Sequence, residues 1–398
     1  MDIDPPDKIV DLVDWIIRAA TGSDSGELIL DGVCDTLTRN GTPLWRVSVA
    51  VPTIDPQFRG AVLNWRRDNS FKFETAVHGT ETDEWFQHSP IFALQSRGVS
   101  FGRWMIELGE GCEAHPTLES LRSEGGTDYA MFLVDFSRST FLSGTAISVA
   151  TDLEGGFRED DLACFRALVP ALGLAIYRQI LLVTATQSLD SYLGRMTGAK
   201  VLAGEVVRGQ GEIIYAAIVL ADLSGFTRLT DRENSIDVVR WLNEHLEAIG
   251  DPVIENGGEI LKFLGDGLLA VFPAGGDRDS QRCEACERAF LTAMEATRRN
   301  DAVNARREQA GEPKLAVDVA LHFGEVVYGN VGTTRRLDFT VIGRAVNEVS
   351  RIEKLCGELG VHVPISGDFA ELCSARLKSL GAFKLRGVES PRALFAPE

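Results

Sequence analysis

The apolar positions of this chain change period several times, and each change predicts an element. Near the N-terminus they recur at helical spacing over Lys8 to Ala20 and again over Leu28 to Thr38. They then fall into short runs, RVSVAV from Arg46, AVLNWRR from Ala61, YAMFLVDF from Tyr129 and GTAISVA from Gly144, which predict strands. FREDDLACFRALVPALGLAIYRQI follows, with Phe165, Leu168, Leu172, Ile176, Ile180 and Val183 three or four residues apart. That spacing puts one apolar stripe on a long helix. The helix is predicted to run on through Leu189 and Leu193 towards Thr197, joining the two halves of the chain. Its stripe either packs on its own domain or pairs with a second copy.

The second half starts near Gly204. IIYAAIVLAD from Ile213 is a continuous apolar run, the pattern of a central strand buried on both faces. SIDVVRWLNEHLEAIG from Ser235 is helical. EILKFLGDGLLAVFP predicts a hairpin with Asp266-Gly267 at its turn, and a long polar helix then reaches about Gln309. LAVDVALHFGEVVYGNVG from Leu315 predicts two strands, FTVIG from Phe339 another, and AVNEVSRIEKLCGELG from Ala345 a helix. The order predicts an antiparallel-rich sheet covered by helices, an α+β layered domain.

With 398 residues, two domains are expected. A hydrophobic content of 44% and a charged content of 25% are those of an ordinary globular protein. No stretch approaches the roughly 20 apolar residues of a membrane span. The opening MDIDPPDKIVDLVDW is acidic and lacks the basic start of a secretory signal, so a cytoplasmic location is expected. The net charge of -18 disfavours nucleic acid and anionic lipid as partners. Phosphates of a small nucleotide would have to be held by local cations or bound metal. The seven cysteines have no disulfide-like spacing. Cys283 and Cys286 form a CxxC without a second pair, which reads as packed or exposed thiols rather than a zinc site.

Four features carry candidate chemistry. Asp222 ends the buried strand and enters LSGFT, where the ordinary role is a turn or helix cap. Asp266 has an ordinary role too, as the Asp of an Asp-Gly turn. If their strands are neighbours, both carboxylates reach one sheet edge. Close carboxylates repel unless a cation lies between them, and oxygen-only ligation suits Mg²⁺ or Mn²⁺. Lys262 interrupts an apolar strand; it either snorkels from an edge or offers a fixed cationic donor in a pocket. Asn347 and Arg351, four apart on one helix, share a face, which alone is a common solvated pattern.

Taken together, ADLSGFT, KFLGDG and TVIGRAVNEVSR, in this order, resemble the catalytic domain of the class III nucleotidyl cyclases over about Val201 to Phe395. The resemblance implies a ferredoxin-like sheet with added helices. It also implies a homodimer with composite sites at the head-to-tail interface. It makes Asp222 and Asp266 ligands of two Mg²⁺ or Mn²⁺ ions, with the Leu223 carbonyl as a further candidate. Lys262 and Thr340 would read the purine, Asn347 would orient the ribose and Arg351 would meet the reacting phosphate. Arg386, or Lys384 in the adjacent register, would contact the terminal phosphates. The implied reaction is cyclisation of ATP to 3′,5′-cyclic AMP and pyrophosphate.

An ammonium only donates, and adenine N1 accepts where guanine N1 carries a proton, so Lys262 suits ATP. The family's guanylate cyclases place an acidic residue there. Thr340 stands where many adenylate cyclases carry aspartate; it resembles a subgroup that includes bicarbonate-responsive enzymes and leaves room for GTP side activity.

The first half resembles a GAF-type regulatory domain in its strand pattern, in TAISVATDLEGGFREDDL and in the long closing helix. The division expected is a GAF-like α/β sensor domain over 1–178, a connecting helix over 179–200 and the cyclase domain over 201–398. A small-molecule ligand of the sensor is a possible partner. His78, His88 and His115 read as ordinary polar residues, and Trp45, Trp65, Trp85 and Trp104 as core or surface with some lining a pocket. The competing expectations are a cyclase for GTP or a pyrimidine nucleotide, a catalytically silent nucleotide-binding module, and a pure interaction protein.

Overall fold

A computed structural model describes residues 9–22, 25–68, 71–136, 144–276 and 278–398. Lys8, the start of the first predicted helix, lies outside them. The chain divides into two compact units, Met1–Ser188 and Leu189–Glu398.

The first unit runs α1 (Ile9–Thr21), α2 (Gly26–Arg39), β1 (Arg46–Pro52), β2 (Phe58–Arg66), β3 (Phe71–Val77), α3 (Thr80–Gln87), α4 (Pro90–Arg97), β4 (Phe101–Trp104), α5 (Pro116–Ser123), β5 (Asp128–Asp135), β6 (Gly144–Thr151) and the start of α6 (Glu159–Leu193). Its six strands form one antiparallel sheet in the order β3-β2-β1-β6-β5-β4. Alternate residues, Val47, Val49, Ile147 and Val149 among them, face a core shared with α1, α2 and α6. Trp65 is fully buried there, its indole donating to Asp31 at 3.0 Å. The opposite face carries α4, α5 and a smaller cluster around Leu94, Leu118 and Tyr129.

Helix α6 corrects one expectation. By length and composition it is apolar enough to cross a membrane, the one such helix among the described residues. Its first half is apolar because Leu162, Phe165, Leu168, Leu172 and Ile176 fill the core of the first unit. Leu174, Leu181, Leu182 and Val183 remain exposed.

The second unit continues with α7 (Arg195–Leu202), β7 (Gly211–Ser224), α8 (Phe226–Thr230), α9 (Ser235–Glu255), β8 (Glu259–Leu264), β9 (Gly267–Pro273), α10 (Asp279–Gln309), β10 (Ala316–Gly332), β11 (Leu337–Ile342), α11 (Arg344–Glu353), α12 (Cys356–Leu359), β12 (Ile365–Ser366), α13 (Gly367–Ala370), β13 (Leu377–Phe383) and β14 (Arg392–Pro397). The sheet order is β13-β14-β12-β10-β7-β9-β8, with β11 paired to β10. β7 is central, as its apolar run predicts, with Ala216 to Ala221 buried. The apolar faces of α9 and α10 cover one side of the sheet, and α11 covers the other.

Three sequence expectations change here. Residues 316–332 form one strand, not two, paired with β7 from Ala316↔Ser224 to Gly329↔Gly211. Gly324 reads as a break but is a packing site, since a Cβ there would lie 2.8 Å from the Ala345 Cβ on α11. The β8–β9 turn is Gly265-Asp266 rather than Asp266-Gly267. Leu264 pairs with Gly267, and Gly265 takes φ +70°. Finally, the connecting helix does not run unbroken to Thr197. It stops at Leu193, and Gly194, at φ +87°, caps a separate helix, α7.

That break is held by a buried carboxylate. The Thr197 N–H, at the third position of α7, donates to Glu259 Oε1 at 2.9 Å. Gly194 has no side chain to cap the helix, so Glu259 supplies the acceptor from the first residue of β8. The Tyr328 hydroxyl donates to Glu259 Oε2 at 3.3 Å and lies 2.9 Å from the Thr197 hydroxyl. Burial, ahead of the hydrogen bonds that oppose it, pushes the Glu259 carboxyl above its ordinary value. Stability gained from its proton is therefore full below the ordinary carboxyl range and lost as pH rises through the folded-state value. Glu259→Gln, which keeps an acceptor and drops the charge, should melt no lower than wild type at pH 7. The difference should shrink as pH falls towards 4.5. Glu259→Ala, which strands the Thr197 N–H, should cost about 2–3 kcal/mol. Thermal melts across pH check both.

Candidate active site

The acidic edge is built by strand pairing. Asp222 sits two residues before the end of β7, inside the strand; the cap of α8 is Gly225, so a capping role does not account for Asp222. Antiparallel register places Ala221 opposite Leu268, which brings the Gly265-Asp266 turn alongside Asp222. Gly267 permits the approach. A Cβ there would fall 2.2 Å from the Ala221 carbonyl oxygen and 2.9 Å from Asp222 Oδ1. On the other side β10 sets Asp318 directly across from Asp222. Asp318 is buried, accepting from the Ser224 hydroxyl and lying 2.6 Å from His362 Nδ1. Leu223, with its side chain buried, pairs with Val317 in the same ladder.

Burial first, and then the charges of Asp266 and Asp318, push the Asp222 carboxyl up; a hydrogen bond from the Leu223 N–H offsets part of this. Glu353, the last residue of α11, is also pushed up, by burial and then by Asp222, Asp318 and, more weakly, Asp266. Asp222 is therefore half-buried among other carboxylates, an arrangement that fits divalent cations held by oxygen. Asp318 and Glu353 carry no signal of their own in the sequence. A continuous β10 would have placed Asp318 opposite Asp222, but the strand reads as two.

Lys262 lies on β8, four residues before Asp266, just after a bulge between Ile260 and Lys262. Its ammonium is 3.0 Å from Asp338 Oδ2 on β11. Thr340 is two residues along the same strand. It is 7% exposed, and its hydroxyl has no hydrogen-bond partner among the described residues. The fold thus brings Lys262 to the strand that carries Thr340, and adds Asp338.

Asn347 is exposed on α11. Arg351, one turn on, packs its guanidinium against the turn after β13, with Nη2 3.6 Å from the Cβ position of Gly387. That turn holds Arg386, which is exposed, as is Lys384. Three groups therefore stand out: an acidic edge, a strand pair with one cation and a bare hydroxyl, and a basic helix end beside a basic turn.

A second polar cluster has donor atoms of His322, Glu348 and Asp368 within 4.8 Å of one another. Glu348 already accepts from Arg344 Nε at 2.6 Å and Arg392 Nη2 at 3.2 Å. Burial opposes its charge, but these hydrogen bonds outweigh burial and hold its carboxyl below the ordinary value. Two guanidiniums where a metal ion would sit make this an ion network of the fold. Cys283 and Cys286 are free thiols on α10, and Cys286 is buried. The first unit has an open pocket of about 460 Å³, lined by small residues such as Ala50, Gly60 and Ala146 and by Trp85, Phe86 and Ile91.

Residues 212–393 match the sequence model of the adenylate and guanylate cyclase catalytic domain. The chain is similar to an adenylate cyclase of Anabaena cylindrica, 36% identical over 149 residues that are 37% of this chain and 29% of that protein. It is also similar to adenylate cyclase 1 of Rhizobium meliloti, 29% identical over 42% of this chain and 25% of that one. The adenylyl cyclase CyaB of P. aeruginosa, a solved structure, is 21% identical with a TM-score of 0.43, over 47% of this chain and 94% of that one. The chain thus spans less than a third of the length of the two curated relatives.

Proposed function

We propose that this chain is an adenylate cyclase making 3′,5′-cyclic AMP and pyrophosphate from ATP, a reading that the match of residues 212–393 to the adenylate and guanylate cyclase catalytic domain supports. The observation that carries the reading is the convergence of Asp222 and Asp266 on one sheet edge, on a chain whose base-side strand carries Lys262.

Asp222 and Asp266, with the Leu223 carbonyl, would hold two Mg²⁺ or Mn²⁺ ions. When bound, such ions lower the pKa of the ribose 3′-hydroxyl and neutralise charge on the triphosphate. Lys262 donates to adenine N1, and the Thr340 hydroxyl accepts from the exocyclic amine. Asn347 orients the ribose so that its 3′-oxygen stands in line with the α-phosphorus. Arg351, always protonated, meets the charge that grows on the phosphoryl oxygens. Arg386, or Lys384, binds the departing pyrophosphate.

In this reading the site is shared. The aspartates of one protomer face the Lys262, Thr340, Asn347 and Arg351 set of its partner, and a homodimer holds two such sites. The exposed Leu181, Leu182 and Val183 on α6 favour a second copy as what covers them. The N-terminal domain (1–178) is read as a GAF-like sensor in the cytoplasm. Its 460 Å³ pocket supports a small-molecule ligand, and residues 179–200 connect it to the catalytic domain (201–398).

The deciding experiment supplies purified full-length protein with ATP, GTP, CTP and UTP in turn, with Mg²⁺ and then Mn²⁺. Cyclic AMP from ATP is the expected product. Faster turnover of GTP would sink the base assignment, and binding of ATP without any cyclic product would favour a silent nucleotide-binding module.

A further inference from the structure

A lysine makes a poor reader of a base unless something aims it. Its ammonium rides on a flexible four-carbon stem, is strongly hydrated and has three rotatable donors. Lys262 is 30% exposed by side chain, so burial alone does not fix it. What fixes it is Asp338, whose Oδ2 takes one of the three donors at 3.0 Å. The pair is too exposed to matter for the fold, with Asp338 at 59% by side chain, and exposed pairs of this kind add little stability.

Asp338 and Thr340 are two residues apart on β11 and so project from the same face of the strand. The Thr340 hydroxyl is buried and unpartnered, a cost the protein bears where a ligand group is to arrive. An anchored ammonium and a vacant hydroxyl on one strand face form a matched pair for the edge of a purine.

We propose that Asp338 is a positioning residue that aims the Lys262 ammonium at purine N1, an inference that rests on the base-reading role given to Lys262 above. One donor stays on Asp338 while another turns to the base. Removing the carboxylate leaves the ammonium charged and present but unaimed.

The test compares ATP with 1-deaza-ATP, which has a C–H in place of N1, as substrates and as ligands in competition binding. Wild type should discriminate against 1-deaza-ATP by about tenfold or more in kcat/KM and in Kd. In Asp338→Ala that ratio should fall below about threefold, through loss on ATP alone. Lys262→Met should abolish the ratio, and Lys262→Met combined with Asp338→Ala should lose nothing further. Asp338→Glu should recover part of the discrimination. An equal loss on both nucleotides in Asp338→Ala, or no loss on either, overturns the proposal. Binding separates the two readings. The predicted Kd pattern without any cyclic product sinks the cyclase reading and keeps this one; cyclic AMP formation with an unchanged ratio does the reverse.

Discussion

Asp266→Ala is expected to lower cyclic AMP formation by a thousandfold or more, by about the several kcal/mol that metal ions supply to such a transition state. The variant should still fold. Asp266 lies in a two-residue turn and is partly exposed, so little packing is lost with it. Asp222→Ala should lose activity as severely but differ in stability. It removes a half-buried carboxylate crowded by Asp266 and Asp318, and so should melt no lower than wild type when metal is absent. Mn²⁺ affinity, followed by electron paramagnetic resonance, should fall in both variants. Wild-type Mn²⁺ affinity in an inactive Asp266→Ala protein would remove that residue from the metal site.

Arg351→Ala should leave ATP binding within a few fold of wild type and reduce kcat by about 10²–10³, the usual loss for one preorganised donor to a developing oxyanion. Its guanidinium lies over Gly387 beside Arg386, so the Arg386 turn is the first place to look for disturbance. Asp222→Ala and Arg351→Ala chains carry their lesions on opposite faces of a shared site. After equal mixing, half of the dimers are mixed and each has one intact site of two, so about a quarter of wild-type activity should return. If subunit exchange is demonstrated and activity stays absent, the site is not shared.

Much of the second unit could be read from its sequence because a buried central strand has an unmistakable apolar run. Ile213 to Leu220 has no polar residue other than Tyr215, and it lies at the middle of the sheet. What misled were glycines whose reason is tertiary. Gly324 looks like a strand break but clears the way for Ala345. Gly267 looks like a turn residue but lets β9 approach Ala221 and Asp222. Gly194 gives no sign in the sequence that it ends a 35-residue helix, because the group that captures the new helix, Glu259, lies 65 residues further on. The same applies to the site. Asp222 and Lys262 stand out as polar residues in apolar strands, and Asp266 as the carboxylate of the turn that joins two of them. Asp318, Glu353 and Asp338 become visible only once register and packing bring them to those three. In the first unit, β3, β4 and α3 to α5 are short and mixed in polarity, so no period marks them.

The capture of α7 by Glu259 also dictates where the chain can be cut. A recombinant fragment begun at residue 201 would discard Thr197 and leave the buried Glu259 carboxyl without the Thr197 N–H, with Tyr328 as its remaining donor. It should express poorly and respond to acid differently from the whole protein. Begun at Leu189, the fragment keeps Gly194, Thr197 and Lys200, the last held by Glu212 at 2.8 Å, and with them the contacts of α7 to β7 and β8. The second compact unit therefore begins at Leu189, within the 179–200 stretch that the sequence presents as a connecting helix.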